Sequence, residues 1–288
     1  PPPPPPPPPP FSSTPTPPPP ILSGLVGSEM CIRDSPYSEY AWYNMGIVYN
    51  KLKKFDKAMD AYEFAIAIDE TFSSAHFNMG NTYMNLEEYD KAIASYLLTL
   101  EYEGPSPDLY CHIGASYEKI GQYEIGLRYY TKASKINPLY HQAWFGTGTC
   151  FALKENWLEA THFFKKAIKI DPLNRLYLKS LAESEYSLGN SLSSIEIYEQ
   201  LSQLEPVNAD VWLDWSSIYY DQGDYKKALH IIEMGLSDTP DRSVYLYRKT
   251  VYLLAYGKYK EAMVILEQAL ILNYEGHEQV YNFFEDLR

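Results

Sequence analysis

Cysteine is scarce in this chain: Cys31, Cys111 and Cys150 are the only ones in 288 residues, and no paired spacing links them. A disulfide framework is excluded on that count, and a reducing, cytoplasmic compartment is expected. Long apolar runs are also missing. None approaches the roughly 20 residues that a bilayer-spanning helix needs, so no integral membrane segment is expected. Positive charge is the third shortage: Lys and Arg number 24 against 37 Asp and Glu, a net charge of −13. Apart from short runs such as Lys51–Lys54 there is no basic cluster, which excludes the basic face that nucleic-acid binding requires. The six histidines (His76, His112, His141, His162, His230, His277) form neither HExxH nor HxxxH, so no metal site is expected. With no catalytic, cofactor-binding or metal-ligating constellation, the chain reads as a protein that is not an enzyme and needs no cofactor.

What is present is a period. Number His141–Asn174 from 1: Trp144 falls at place 4, Gly148 at 8, Phe151 at 11, Ala160 at 20, Phe164 at 24, Ala167 at 27 and Pro172 at 32. Shifts of one template length find the same pattern in 39–72, 73–106 and 107–140, and again in 175–208, 209–242 and 243–276. Together with 141–174 these make seven tandem copies without an insertion or deletion.

Apolar places 4, 7, 8 and 11 fall on one side of a first helix, and places 20, 24 and 27 on one side of a second. Place 8 is small in every copy (Gly46, Gly80, Gly114, Gly148, Ala182, Ser216, Thr250), and so is place 20 (Ala58, Ala92, Gly126, Ala160, Ser194, Ala228, Ala262). Small residues on both helices predict a close crossing between them. The same assignment puts Gly146–Gly148 inside a helix, where it cannot act as a phosphate loop. Place 15 is Gly in four copies (Gly121, Gly189, Gly223, Gly257), as the turn after a helix prefers. Pro138, Pro172, Pro206 and Pro240 end the second helix. Each copy is thus a helical hairpin, too short to be stable alone, that must bury its side against the next.

The set W-x2-L-G-x2-Y, then Ala, Phe or Tyr, Ala and Pro, on this period resembles the tetratricopeptide repeat (TPR) family. The resemblance covers Glu39 to the end of the chain. It implies an all-α, right-handed superhelical solenoid with the first helix of each pair lining a concave groove. It also implies a role as adaptor or assembly scaffold, holding other proteins through extended or helical peptide segments. Two readings compete with that one: a regulatory or substrate-recruiting segment of a larger enzyme or sensor, and an exported component of an envelope complex. The partner's identity and the oligomeric state stay open.

With places 4, 7, 8 and 11 committed to packing, the groove face of the first helix is expected at 2, 5, 9 and 12, with place 13 beside it. The peptide-groove candidates are Tyr40, Tyr43, Ile47, Asn50, Phe77, Asn81, Asn85, Cys111 and Phe145. Aromatics there would grip side chains, and Asn amides can bond a peptide backbone in both directions. Later copies add Lys179, Glu183, Leu213, Tyr220, Tyr247 and Val251, whereas Asn44 and Asn78 at place 6 are assigned to helix packing. Family members that hold the acidic tail of a chaperone carry Lys, Arg and Asn at places 2, 5, 6 and 9. Here places 2 and 5 of the first three copies are Tyr40, Tyr43, Ser74, Phe77, Asp108 and Cys111, so that subtype is not expected.

Copy five departs most from the pattern, with Glu185 at place 11 and Ser191 at place 17. A carboxylate in the core is costly, so the helix is expected to rotate and present Tyr186; a flexible joint and a locally adapted interface are the two readings of this copy. Residues 1–35 form a Pro-rich tail expected to be disordered, and ILSGLVGSEMCIRDS within it resembles a sequencing or assembly artefact. Pro36 sits six residues before Trp42, as Pro138 does before Trp144, so native sequence is expected to begin near Pro36 in a truncated array. Residues 277–288, with Val280, Phe283, Phe284 and Leu287 in helical spacing, are expected to form a terminal cover helix after repeats spanning 36–276.

Overall fold

The computed structural model describes residues 37–204, 209–238 and 242–272, so the expected tail and cover helix lie outside the described residues. Fourteen helices and no strand are found among them, and within each unit they pair as the period requires. The first unit, up to Lys154, holds α1 (Glu39–Lys51), α2 (Phe55–Ile68), α3 (Ser73–Asn85), α4 (Tyr89–Glu103), α5 (Pro107–Lys119), α6 (Tyr123–Ile136) and α7 (His141–Leu153). The second, from Glu155, holds α8 (Trp157–Ile170), α9 (Arg175–Ser187), α10 (Ser191–Ser202), α11 (Ala209–Asp221), α12 (Tyr225–Asp238), α13 (Ser243–Ala255) and α14 (Tyr259–Leu272).

Local chemistry sets the helix ends. Ser38 and Ser106 cap α1 and α5 by accepting from the amides of Ala41 and Leu109, with Pro107 opening α5 where its missing N–H costs nothing. Asn174 caps α9 in the same way through Tyr177. Place 15 adopts a left-handed backbone in all seven copies, including the three without glycine: Lys53, Glu87 and Glu155 have φ of 57°, 60° and 57°. The turn is therefore dictated by the hairpin, and glycine only relieves its cost.

The close crossing is real and has a specific partner. A Cβ built on Gly46 would stand 2.4 Å from the Tyr62 ring, and one on Gly80 would stand 2.5 Å from Tyr96. Place 8 of one helix thus receives the place 24 ring of its own hairpin. All seven residues at place 20 are buried, as are the place 24 residues Tyr62, Tyr96, Tyr130, Phe164, Tyr198, Ile232 and Leu266.

The buried face of the first helix is wider than the period suggests. Place 3 is buried throughout (Ala41, Ala75, Leu109, Ala143, Tyr177, Val211, Tyr245), and place 10 is buried in six copies, Thr82 to Tyr252. Places 3, 7 and 10 form an i, i+4, i+7 stripe, and inside a unit the first helices α3, α5, α9, α11 and α13 touch the preceding hairpin's second helix as well as their own. Place 11 is correspondingly less buried: Tyr49, Tyr83, Tyr117, Phe151 and Tyr219 are only half-buried. Lys57, Lys91 and Lys227 lie over Tyr49, Tyr83 and Tyr219 at 5.8, 5.4 and 5.1 Å, covering the aromatic faces with cations.

The expected rotation in copy five does not occur. Glu185 stays in the core, 3% exposed, because it is neutralised in place: Lys165 Nζ lies 2.6 Å from Oε1, and Asn190 Nδ2 donates to Oε2 at 2.8 Å. Burial pushes the carboxyl pKa up, but the hydrogen bonds from Lys165 and Asn190 and the Lys165 charge outweigh it, and the net shift is downward. Tyr186 remains half-buried and donates from its hydroxyl to Asp221 on α11.

Candidate functional site

Places 2, 5, 9 and 12 of the first helices stay outside the stripe that packing consumes, and in the first unit they carry an aromatic and amide-rich strip. Tyr40 is 59% exposed and meets Phe72 edge-on at 5.1 Å; Asn85 is exposed. Tyr43 is half-buried, edge-on to Phe72 at 5.2 Å, and its hydroxyl accepts from Asn78 Nδ2 at 3.1 Å. Ile47, Asn50, Phe77, Asn81 and Phe145 are all half-buried. Phe77 lies against Tyr96 at 5.6 Å and edge-on to His112 at 5.0 Å, so part of its area is already spent within the array.

Two expectations need correction. Cys111 does not offer an open surface: it is 9% exposed and packed with Tyr130, Ala133, Ala143 and Cys150. Burial, aided by the Asp108 charge, pushes its thiol up to about 12. Place 5 becomes interior in that repeat because the small thiol follows the stripe inward. At place 6, Asn44 is exposed and is not a packing residue, whereas Asn78 is tied into the strip.

The amides are held in fixed polarity. Thr82 donates its hydroxyl proton to the carbonyl of Asn78, so Asn50 Nδ2 must be the donor in its 3.0 Å contact with Thr82 Oγ1. Asn78 Nδ2 donates to the carbonyl of Ser74 as well as to Tyr43, which fixes its orientation too. Asn81 is turned the other way, with Oδ1 accepting from the buried Tyr96 hydroxyl at 2.7 Å. The strip therefore holds two amides with acceptor oxygens uncommitted to these bonds, and one with its donor nitrogen uncommitted.

Sequence reasoning missed His112, which sits at place 6 between Phe77 and Tyr96, 5.4 Å from the latter. Burial lowers its pKa against the opposing pull of Asp108, 3.7 Å away, and keeps the imidazole neutral more readily than usual. Its signal was the shared place with Asn78. Nearby, Tyr130 donates to Glu118 at 2.9 Å, and burial raises the Glu118 pKa despite that bond and Lys119. A buried place 24 tyrosine thus reaches the same face in successive repeats. No group of His, Cys, Asp and Glu among the described residues is arranged to hold a metal ion, and no described helix is long and apolar enough to cross a membrane.

Comparison with solved structures places the chain beside the Cut9–Hcn1 hetero-tetramer of the APC/C, with a TM-score of 0.63 at 16% identity; the match covers 84% of this chain and 46% of that one. A tetratricopeptide repeat protein from Parabacteroides merdae matches with a TM-score of 0.63 at 17% identity, covering 81% and 92% of the two chains. YrrB, described as a TPR protein with an unusual peptide-binding site, matches at 0.51 and 19% identity, covering 72% and 97%. At these identities the likeness is one of fold. No match is found among curated proteins. Three tetratricopeptide repeat profiles match residues 39–72, 73–103, and 113–175 with 180–243, together more than half of the sequence. The stacked hairpins and these matches agree: the chain belongs to the tetratricopeptide repeat family.

Proposed function

We propose that this protein is an adaptor or assembly scaffold that holds an extended or helical peptide segment of another protein against its first-helix faces, with no chemistry of its own. The observation that carries this reading is the fixed polarity of Asn50, Asn78 and Asn81. A peptide backbone presents an N–H and a C=O at each residue, and amide acceptors beside an amide donor are complementary to both. Tyr40, Tyr43 and Phe77 flank these amides and supply the aromatic area that anchors side chains. The tetratricopeptide repeat assignment supports a protein-interaction scaffold in general, and YrrB shares the fold with a peptide-binding site. The location we propose is cytoplasmic, a reading supported by the free, buried thiols of Cys111 and Cys150.

The test is affinity capture with the full chain, compared with Tyr40→Ala and Asn81→Ala. Either residue, if it is an anchor, should cost at least about 2 kcal/mol of binding, enough to remove the partner from the captured fraction. Tyr40 is exposed, so its truncation leaves the core intact. Unchanged recovery with both variants, at unchanged helical content by circular dichroism, would move the site off this strip.

A further inference from the structure

The place 24 tyrosines of the first unit carry their hydroxyls toward the first-helix strip, and two of the three find an acceptor there. Tyr96 donates to Asn81 Oδ1 at 2.7 Å, and Tyr130 donates to Glu118 Oε2 at 2.9 Å. Tyr62 is the exception. Its ring crosses Gly46 as the Tyr96 ring crosses Gly80, and its hydroxyl end faces Tyr43 and Asn50. In this copy, however, place 9 is Ile47, which has nothing to accept with. Place 12 is Asn50, whose nitrogen serves Thr82.

Burial raises the Tyr62 pKa, and Asn50 opposes it from the donor side, so Asn50 gives the phenol proton nowhere to go. The side chain is fully enclosed and its hydroxyl has no hydrogen-bond partner. A buried hydroxyl left unpaired is costly and rare enough to need a reason. Here it stands beside Asn50, whose oxygen is also uncommitted. A donor and an acceptor are thus unused side by side, on the strip that Tyr40 and Tyr43 flank.

We propose that Tyr62 and Asn50 form a subsite for the side-chain carboxamide of a glutamine in the bound peptide. The carboxamide oxygen accepts from the Tyr62 hydroxyl, as the Asn81 oxygen accepts from Tyr96 one repeat later, and its N–H donates to Asn50 Oδ1. Other groups fit less well. A guanidinium or an ammonium has no acceptor for the phenol proton. A carboxylate would bury an unpaired charge against an amide oxygen whose orientation the Thr82 bond fixes. A ligand backbone lying across the strip stays above the enclosed phenol, so the group has to come on a side chain with reach. Tyr43 can turn aside to admit it: the ring is half-buried, and among the described residues its hydroxyl is held by Asn78 alone. The subsite rests on the reading that the first-helix strip holds peptides, and it names one side chain that the strip selects.

The experiment is an NMR titration of the full chain, carbon-13 labelled on its tyrosine rings, with a short Gly/Ser peptide that carries one glutamine and with its glutamate twin. Glutamate keeps the shape and changes the charge. The glutamine peptide should shift the Tyr62 signal, assigned by its loss in Tyr62→Phe, at millimolar concentration, and the twin should leave it in place. Tyr62→Phe should weaken the glutamine peptide roughly tenfold, read from the Tyr43 signal. The array accommodates that ring, since Phe164 fills place 24 in copy four. Stability gives an independent readout. The urea midpoint of Tyr62→Phe should equal or exceed the parent's, because no hydrogen bond is lost, whereas Tyr96→Phe should fall below it. Equal shifts with the two peptides, no shift at millimolar concentration, or a midpoint lowered as much by Tyr62→Phe as by Tyr96→Phe would each overturn the subsite. Tyr40→Ala and Asn81→Ala separate the two readings. If capture depends on them while the peptides behave alike, only the subsite falls. If the glutamine preference holds and capture is insensitive to both, the adaptor reading falls instead.

Discussion

Gly80 and Glu87 lie seven positions apart, and each holds the backbone in a place where the side chain decides the energy, with opposite expectations. At Gly80 the difficulty is space: a Cβ would sit 2.5 Å from the Tyr96 ring, which is fully buried and cannot swing away. Gly80→Ala should therefore destabilise by about 1–3 kcal/mol, the range for overpacking a filled core. At Glu87 the difficulty is conformation, because φ of 60° costs a side chain that glycine lacks. Glu87→Gly should leave the turn unchanged and stabilise by up to roughly 1 kcal/mol. Urea melts of the two variants against the parent should move in opposite directions. The first effect could be foreseen from the repeated small residue at place 8. The second could not, since nothing in Lys53, Glu87 or Glu155 announces a left-handed turn; only the shared place with four glycines does.

Hairpins, their pairing and their boundaries were legible because one period constrains every copy at once. What a single-helix pattern hid was the second packing partner. Places 3 and 10 hold residues as different as Ala75, Tyr177, Ser116 and Tyr252, so they show no consistent apolar signal, yet place 3 is buried in every copy and place 10 in six, on the stripe that the preceding hairpin's second helix touches. Copy five hid a polar solution. Glu185 looked incompatible with the core until Lys165, from the hairpin before, and Asn190, from the turn after, were seen to enclose it. The candidate face was legible as a set of places, but the polarity of its amides depends on bonds between repeats that no spacing reveals. The Glu185 network also sets an acid limb. Its folded pKa lies below the ordinary 4.5, so its contribution is fully present above that value and is lost as pH falls through the folded one. Glu185→Gln should be less stable than the parent by about 1–3 kcal/mol at neutral pH, and the gap should narrow in acid as the carboxyl takes up its proton. Denaturant titrations at neutral and acid pH measure it; a gap that persists unchanged into acid would assign the loss to packing and remove the ion pair from the account.

Stability of a repeat array is close to a sum over hairpins and the contacts between neighbours, so each compact unit carries its own account. The first contains three complete hairpins and α7, whose buried Ala143, Thr147 and Cys150 cover the open side of α6 as the next hairpin would. Gly146 shows how tightly that cover fits: a Cβ there would come within 2.3 Å of the Tyr130 ring. About three repeats are what such a stack needs to hold together. A fragment of residues 37–154 should therefore fold alone, with helical circular dichroism and a single cooperative urea transition. Gly146→Leu in that fragment should unseat α7 and leave Tyr130 uncovered, reducing both the midpoint and the steepness of the transition. A fragment that is helical but melts without cooperativity would mean that neighbour contacts inside this unit are too weak to define it, and the additive account would fail here.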